Sequence, residues 1–277
     1  MNWIQEMFGH DKAIIAMVHL KALPGDPGFD EEAGIEGVID GARHDLLALQ
    51  NGGVDGVVFT NEFSLPYPKG ADFEMVASMA YVIGALRDDI KVPFGVHLIG
   101  DAQATLYLAA VTGAKFTRGT YHGVYSTSGG LMDTDGATIQ RLRHGLGIDD
   151  FKLIYYANVE SSADIAGRDP IEALKPVMKL DKPDGLGVTG DVAGCPADMS
   201  LMSRVRNAYP EAIIFAMTGT NKDNVQKVLE TADGVFVASC LKVDGVFENP
   251  VDETRVKAFM DHVNSLMASS SILKLFI

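Results

Sequence analysis

Short apolar runs rich in Val, Ile and Phe alternate along the chain with longer stretches of helical period. A strand buried on both faces reads as a continuous apolar run, and an amphipathic helix as apolar positions three and four apart. The alternation therefore predicts repeated βα units around a parallel sheet. Eight runs qualify as strands: 13–20, 54–62, 93–99, 115–120, 152–160, 184–190, 212–219 and 234–242. Between the first two, Ile35, Val38, Ile39, Ala42, Leu46 and Leu49 form one apolar stripe, with Asp40, Arg43 and Asp45 off it. Met75, Met79, Val82 and Leu86 repeat in the same way after the second strand, and Val225, Val228 and Leu229 after the seventh.

Eight such units without a Pro/Gly/Ser linker between halves predict an α/β chain forming a single (β/α)8 TIM barrel over residues 1–277. An open doubly wound sheet would leave two edges and commonly has fewer strands. Residues 1–8 are expected to form a short N-terminal capping helix over the barrel floor. The tail 269–277, three serines followed by ILKLFI, is too short to span a bilayer. It is expected to pack on the barrel or on a partner subunit of a homo-oligomer.

Composition narrows the function. Among 277 residues, 37 Asp and Glu against 23 Lys and Arg leave a formal charge of −14. Broad nucleic-acid binding needs a basic surface to displace counterions, so no nucleic-acid partner is expected. The two cysteines, Cys195 and Cys240, cannot build a disulfide framework, and no Cys/His set has zinc-finger spacing. The first residues lack a basic, then apolar, signal-peptide pattern, and no apolar run reaches the length of a transmembrane segment. A cytoplasmic protein is expected.

In such a barrel the chemistry sits where strands end and βα loops begin. Strand period two, counted from His19, assigns Asn61, His97, Arg118, Asn158, Thr189, Thr218 and Ser239 to the mouth. A lone histidine there more often fills a core. His19, Asn61 or Glu62, and His97 fall on three successive strands, so they could converge on a substrate oxygen or a divalent metal. Glu62 or His19 would serve as base and His97 as acid or electrophile. Arg118 is the candidate anion clamp, because a guanidinium grips a carboxylate or phosphate through two parallel hydrogen bonds. Its structural alternative is a salt bridge to Glu160 or Glu62. The loop after it, HGVYSTSGGLMDTDG, lacks a periodic stripe and is expected to act as a lid.

Thr218-Gly219-Thr220-Asn221, with Ser239 and Lys242 across from it, has the small residues and N-cap of a phosphate cradle, or simply of a well-capped helix. The expected substrate is a small anion, a phosphorylated sugar or nucleoside, handled by acid–base chemistry. Gly185 to Gly190 matches G-x-G-x-x-G, but these glycines lie inside the sixth strand instead of between a strand and a helix, so no NAD is expected. A pyridoxal or Schiff-base enzyme needs an inward lysine near mid-strand. Lys115 and Lys152 begin their strands and leave Lys242 alone, so no PLP is expected. Cys195 lies at the catalytic end, without a basic sequence neighbour to form a thiolate.

The run Ile15-Ala16-Met17-Val18-His19-Leu20-Lys21-Ala22-Leu23-Pro24-Gly25-Asp26-Pro27 resembles the opening of the BtpA/SgcQ family, with its M-V-H-L…L-P-G-x-P pattern. The resemblance continues at Gly52-Gly53-Val54-Asp55-Gly56-Val57, Asn61-Glu62 and Pro66-Tyr67, and ends at Asn249-Pro250-Val251-Asp252. It implies a TIM barrel of the enzyme type, with relatives near sugar-utilisation genes and one cyanobacterial branch tied to photosystem I biogenesis. A non-catalytic assembly factor that uses the barrel surface is the alternative it raises. His19, Asn61, Glu62, Arg118 and Lys242 keep matching positions. Strand five departs: where the family carries a D-V-H-V-K-H-like run, this chain has Tyr156-Ala157-Asn158-Val159-Glu160-Ser161, so Asn158 and Glu160 replace basic groups.

Overall fold

The computed structural model describes residues 2–274, with side chains through residue 268. Eight parallel strands close into a barrel: β1 (Ala13–His19), β2 (Gly56–Thr60), β3 (Phe94–His97), β4 (Phe116–Gly119), β7 (Lys152–Tyr156), β9 (Gly185–Val188), β10 (Ile214–Ala216) and β11 (Gly234–Val237). They follow one another in chain order around the ring, and β1 closes on β11 through the pairs Ala13 to Gly234 and Ala16 to Val237. Each expected run contains one of these strands. The observed strands are shorter because the last residues of each run leave the sheet for the βα loops.

Helices α2 (Gly34–Asn51), α3 (Phe73–Ala85), α4 (Ala102–Thr112), α5 (Gly136–Gly145), α6 (Pro170–Leu180), α7 (Met199–Ala208) and α8 (Val225–Leu229) make the crossovers, and α9 (Glu253–Lys274) follows the last strand. The α2 stripe is buried from Val38 to Leu49, and Met75, Met79 and Val82 of α3 are buried with it. Part of the acidic excess works locally. Asp72, Asp101, Asp135, Asp169 and Asp198 each accept a backbone N–H at the start of α3, α4, α5, α6 and α7. Such a cap contributes about 1 kcal/mol. No helix among the described residues is long and apolar enough to cross a membrane.

Alternation along the strands divides the core in two. Outward residues pack under the helices, while Ala13, Ile15, Met17, Val58, Phe116, Ile154, Phe215, Met217 and Phe236 fill the barrel. Large inward residues need small neighbours. A Cβ on Gly187 would come within 2.7 Å of Met217 Sδ, and one on Gly234 within 2.6 Å of the Phe215 ring. Gly185 and Gly187 of the dinucleotide-like motif thus make room in the barrel, as their place inside a strand required. The helix α1 (Trp3–Phe8) closes the floor as expected. Ile4 is fully buried, the Trp3 ring stacks 5.8 Å from Phe215, and Trp3 Nε1 donates to Asp184 O at 2.8 Å.

The segment expected as an irregular lid is instead a hairpin, β5 (Val124–Thr127) and β6 (Gly130–Asp133), to which β8 (Ser162–Asp164) adds a third antiparallel strand. Burial alternates along Val124–Thr127, giving a strand with one covered face, and Tyr125 is the residue it buries. The small sheet ties the loop after β4 to the loop after β7. The expected packing of the tail 269–277 lies outside the described side chains.

Candidate active site

The register of the first four strands builds the site's lower tier. His19 of β1 is level with Thr60 of β2, and Thr60 with His97 of β3. Gly95 pairs with Phe116, so two residues further on Arg118 of β4 continues the row. All four share the inward face of their strands with Met17, Val58, Gly95 and Phe116, and form an arc around the mouth. His19 and Thr60 are buried, His97 and Arg118 half-buried.

Above this arc stand Glu62, two residues past Thr60, and Glu160, beyond the end of β7, whose carboxyl interacts electrostatically with Glu62 and Arg118. Glu62 Oε2 approaches His19 Nε2 to 3.8 Å, and Tyr67 donates its hydroxyl to Glu62 O at 3.0 Å. Lys242, only 1% exposed, donates to Phe247 O and lies 5.2 and 5.0 Å from the Phe63 and Phe247 ring centroids. Arg118 is held along one edge: Nη1 donates to Met217 O at 3.2 Å, and Cζ sits 4.9 Å from the Phe236 centroid. Among the described residues Arg118 makes no ion pair, so the expected alternative of a salt bridge to Glu160 or Glu62 is not what holds it.

Burial and these charges set the protonation states. Desolvation, then the charges of Lys242 and Arg118, hold His19 well below the ordinary histidine range. Desolvation and Arg118 bring His97 down to about 3. Both imidazoles are neutral at pH 7. Glu62 and Glu160 move the other way, raised chiefly by desolvation, with Arg118 opposing the rise in both. Burial also raises Tyr156 to about 12 and lowers Lys242.

Five buried polar atoms of this region find no hydrogen-bond partner among the described residues: His19 Nδ1, Thr60 Oγ1, His97 Nδ1, Arg118 Nε and Glu160 Oε2. A buried unpaired group costs about 1–3 kcal/mol, so natural cores contain few. Their concentration around the mouth is unusual for a packed core.

Several sequence-derived candidates do not join this tier. Asn61 has the outward parity: its amide donates to Met75 Sδ at 3.4 Å and its oxygen accepts Ile99 N at 2.8 Å, bracing α3 and β3. Glu62 and Thr60 hold the inward positions, because β2 counts from Val58. Asn158 and Thr189 occupy each other: the Asn158 amide donates to Thr189 O at 3.1 Å and accepts Thr189 N at 3.0 Å. Thr218 accepts Gly190 N at 2.8 Å, and Met217 takes the inward place. On β11 Ala238 continues the inward row, leaving Ser239 in a 3-10 turn. Gly219, at φ +63°, packs so closely that a Cβ would meet Cys195 C at 2.3 Å. The Asn221 N–H is taken by Asn224 Oδ1 at 2.8 Å, so the phosphate cradle expected here is closed by internal bonds. Among the described residues no three His, Cys, Asp or Glu side chains are grouped to hold a metal ion; His19 and Glu62 approach each other without His97 as a third ligand.

Sequence reading passed over Thr60 and Tyr156, and weighed Glu160 only as a partner for Arg118. The signal was present: Thr60 lies two residues before Glu62, and Tyr156 and Glu160 share the parity of Ile154. The family-like motifs turn out to brace loops. Asp26 Oδ2 accepts Leu23 N at 2.7 Å and the Ser64 hydroxyl at 2.5 Å, and Asn249 donates to Val243 O at 3.0 Å.

A closed parallel eight-stranded barrel with a polar, partly unsatisfied mouth at the strands' carboxyl ends belongs to the TIM-barrel class. More narrowly, the chain belongs to the BtpA family, whose model matches residues 10–265. It is similar to the sgc region protein SgcQ of Escherichia coli, 43% identical over 96% of this chain and 99% of that one. The photosystem I biogenesis protein BtpA of Synechocystis is 28% identical over 92% and 89%. Among solved structures, tryptophan synthase from Mycobacterium tuberculosis superposes with a TM-score of 0.59 at 12% identity over 92% of each chain, a likeness of fold alone.

Proposed function

We propose that the protein is an enzyme acting on a small anionic substrate by proton transfer in the barrel mouth. The observation that carries this reading is the tier of unpartnered buried atoms on His19, Thr60, His97, Arg118 and Glu160. A pure scaffold gains nothing from leaving them unpaired. Arg118 orients the anionic group. Glu62, its carboxyl raised by burial toward the working pH, takes a proton, and the neutral His19 beside it shares the load. His97, neutral at pH 7, polarises a substrate oxygen as a hydrogen-bond donor through one ring nitrogen.

The test is a thermal-shift screen of small carboxylates, sugar phosphates, nucleotides and inorganic phosphate. A ligand at a hundred times its dissociation constant stabilises a protein by ~2.7 kcal/mol. At least one small anion is expected to raise the unfolding midpoint, and Glu62→Gln to keep that binding while losing turnover. If no small molecule shifts the midpoint, the reading fails in favour of a barrel that works through its outer surface.

A further inference from the structure

We infer that the substrate's anion is a single carboxylate, carried on a polyhydroxylated chain, and that phosphorylated compounds are disfavoured. This rests on the mouth being the substrate site, as proposed above.

The charge available to a ligand is the first ground. Lys242 is almost fully buried, with its Nζ held by Phe247 O and close to two phenyl rings, so its ammonium does not reach an occupant of the mouth. That leaves the Arg118 guanidinium as the cation with an edge free to bond an occupant, near the carboxyl groups of Glu62 and Glu160. A phosphate ester near neutral pH approaches a double negative charge and would press its remaining oxygens on both glutamates. A carboxylate brings one charge to the one cation with a free edge to bond it.

Arg118 geometry is the second ground. Met217 O occupies Nη1, while Nε is buried without an acceptor among the described residues. The edge without a protein partner among the described residues is the side-on pair of Nε–H and an Nη2–H, a fork that two oxygens of one anion fill, whether carboxylate or phosphate. The place where barrels often hold phosphate is closed here: Gly219 packs on Cys195 and Pro196, Thr218 accepts Gly190 N, and Asn224 takes Asn221 N.

The remaining unpartnered groups supply the third. Thr60 offers a hydroxyl that donates and accepts, His19 and His97 each present an Nδ1, and Glu160 presents Oε2. A mixed row of donors and acceptors is met best by alcohols, which do both. Polyhydroxylated monocarboxylates combine these features with the single negative charge.

The experiment compares matched compounds: four- to six-carbon aldonates, their parent aldoses, the corresponding aldose phosphates, and inorganic phosphate, each titrated by calorimetry and thermal shift. An aldonate is expected to bind at least about tenfold more tightly than its aldose or the matching phosphate ester. Arg118→Ala should abolish the preference over the aldose, with Arg118→Lys as the second variant if the alanine protein does not fold. Glu160→Gln removes a negative charge and should narrow the gap between aldonate and phosphate ester. Tighter binding of phosphate esters than of aldonates would overturn the inference and leave the small-anion enzyme standing. Binding of nucleotides alone would do the same, and the absence of any small-molecule binding would overturn both.

Discussion

Thr60 places a hydroxyl at full burial with nothing among the described residues to bond to, between two histidines of neighbouring strands. Thr60→Val keeps the shape and removes the unpaired group. Urea unfolding should show the variant more stable by about 1–3 kcal/mol, while the mouth's ligand binds more weakly. Stability rising as binding falls is the signature of a group kept for function. His97 makes a second residue-scale prediction. Its folded value near 3 lies below the unfolded ~6.5, so the stability from its neutral form is fully present above ~6.5 and is lost as pH falls toward 3. Between pH 7 and pH 5 this amounts to about 2 kcal/mol. His97→Gln should flatten that acid-side slope in urea unfolding measured across pH. Glu62 and Glu160, raised, act in the opposite sense: their contribution is present below the ordinary carboxylate range and is lost as pH rises through their raised values. The difference between wild type and His97→Gln isolates the histidine.

Among elements, the loops after β9 and β10 lock together through Gly219. Its φ of +63° disfavours any side chain, and a Cβ would also collide with Cys195 and Pro196. Gly219→Ala should cost about 2–4 kcal/mol in unfolding free energy. Gly53→Ala, with φ +91° but open space around the position, should show only the conformational part, about 1–2 kcal/mol. Comparing the two by denaturant unfolding separates strain from collision. The same loops show where sequence reading stops. The strands were legible because a buried parallel strand has little choice but a run of Val, Ile and Phe, and the α2 and α3 stripes because burial repeats every three or four residues. Strand ends carry no such constraint. Counting by twos placed His19, His97 and Arg118 correctly, where the strands run straight to the mouth. It misplaced Asn61, Thr218 and Ser239, because phase between strands depends on register, which the sequence of one strand does not contain. The three-stranded sheet over the mouth was missed because its strands are only three or four residues long and its third strand comes from a different loop.

At the scale of the whole molecule, charge and closure matter most. A formal −14 spread over one barrel repels itself. Raising ionic strength from ~0.01 to ~0.15 M shortens the screening length from ~30 to ~8 Å. The unfolding midpoint should rise, by about 1 kcal/mol or ~2–4 °C for a chain of this size, in thermal melts over a salt series. Closure depends on the N-terminal helix. Ile4 is fully buried in the floor, and Ile4→Ala should cost about 2–5 kcal/mol in urea unfolding.

That plug also governs traffic. With Trp3 and Ile4 filling one end and Ile15, Phe116, Phe215 and Phe236 packed across the bore, the barrel is a cul-de-sac with a single doorway. For the reaction proposed in the mouth, whatever is made there must leave by the way its precursor came in, so the two can never queue in line. For the proposed reaction, product is therefore expected to compete with substrate for the free protein, so a helix at the far end of the molecule would leave its imprint on the kinetics.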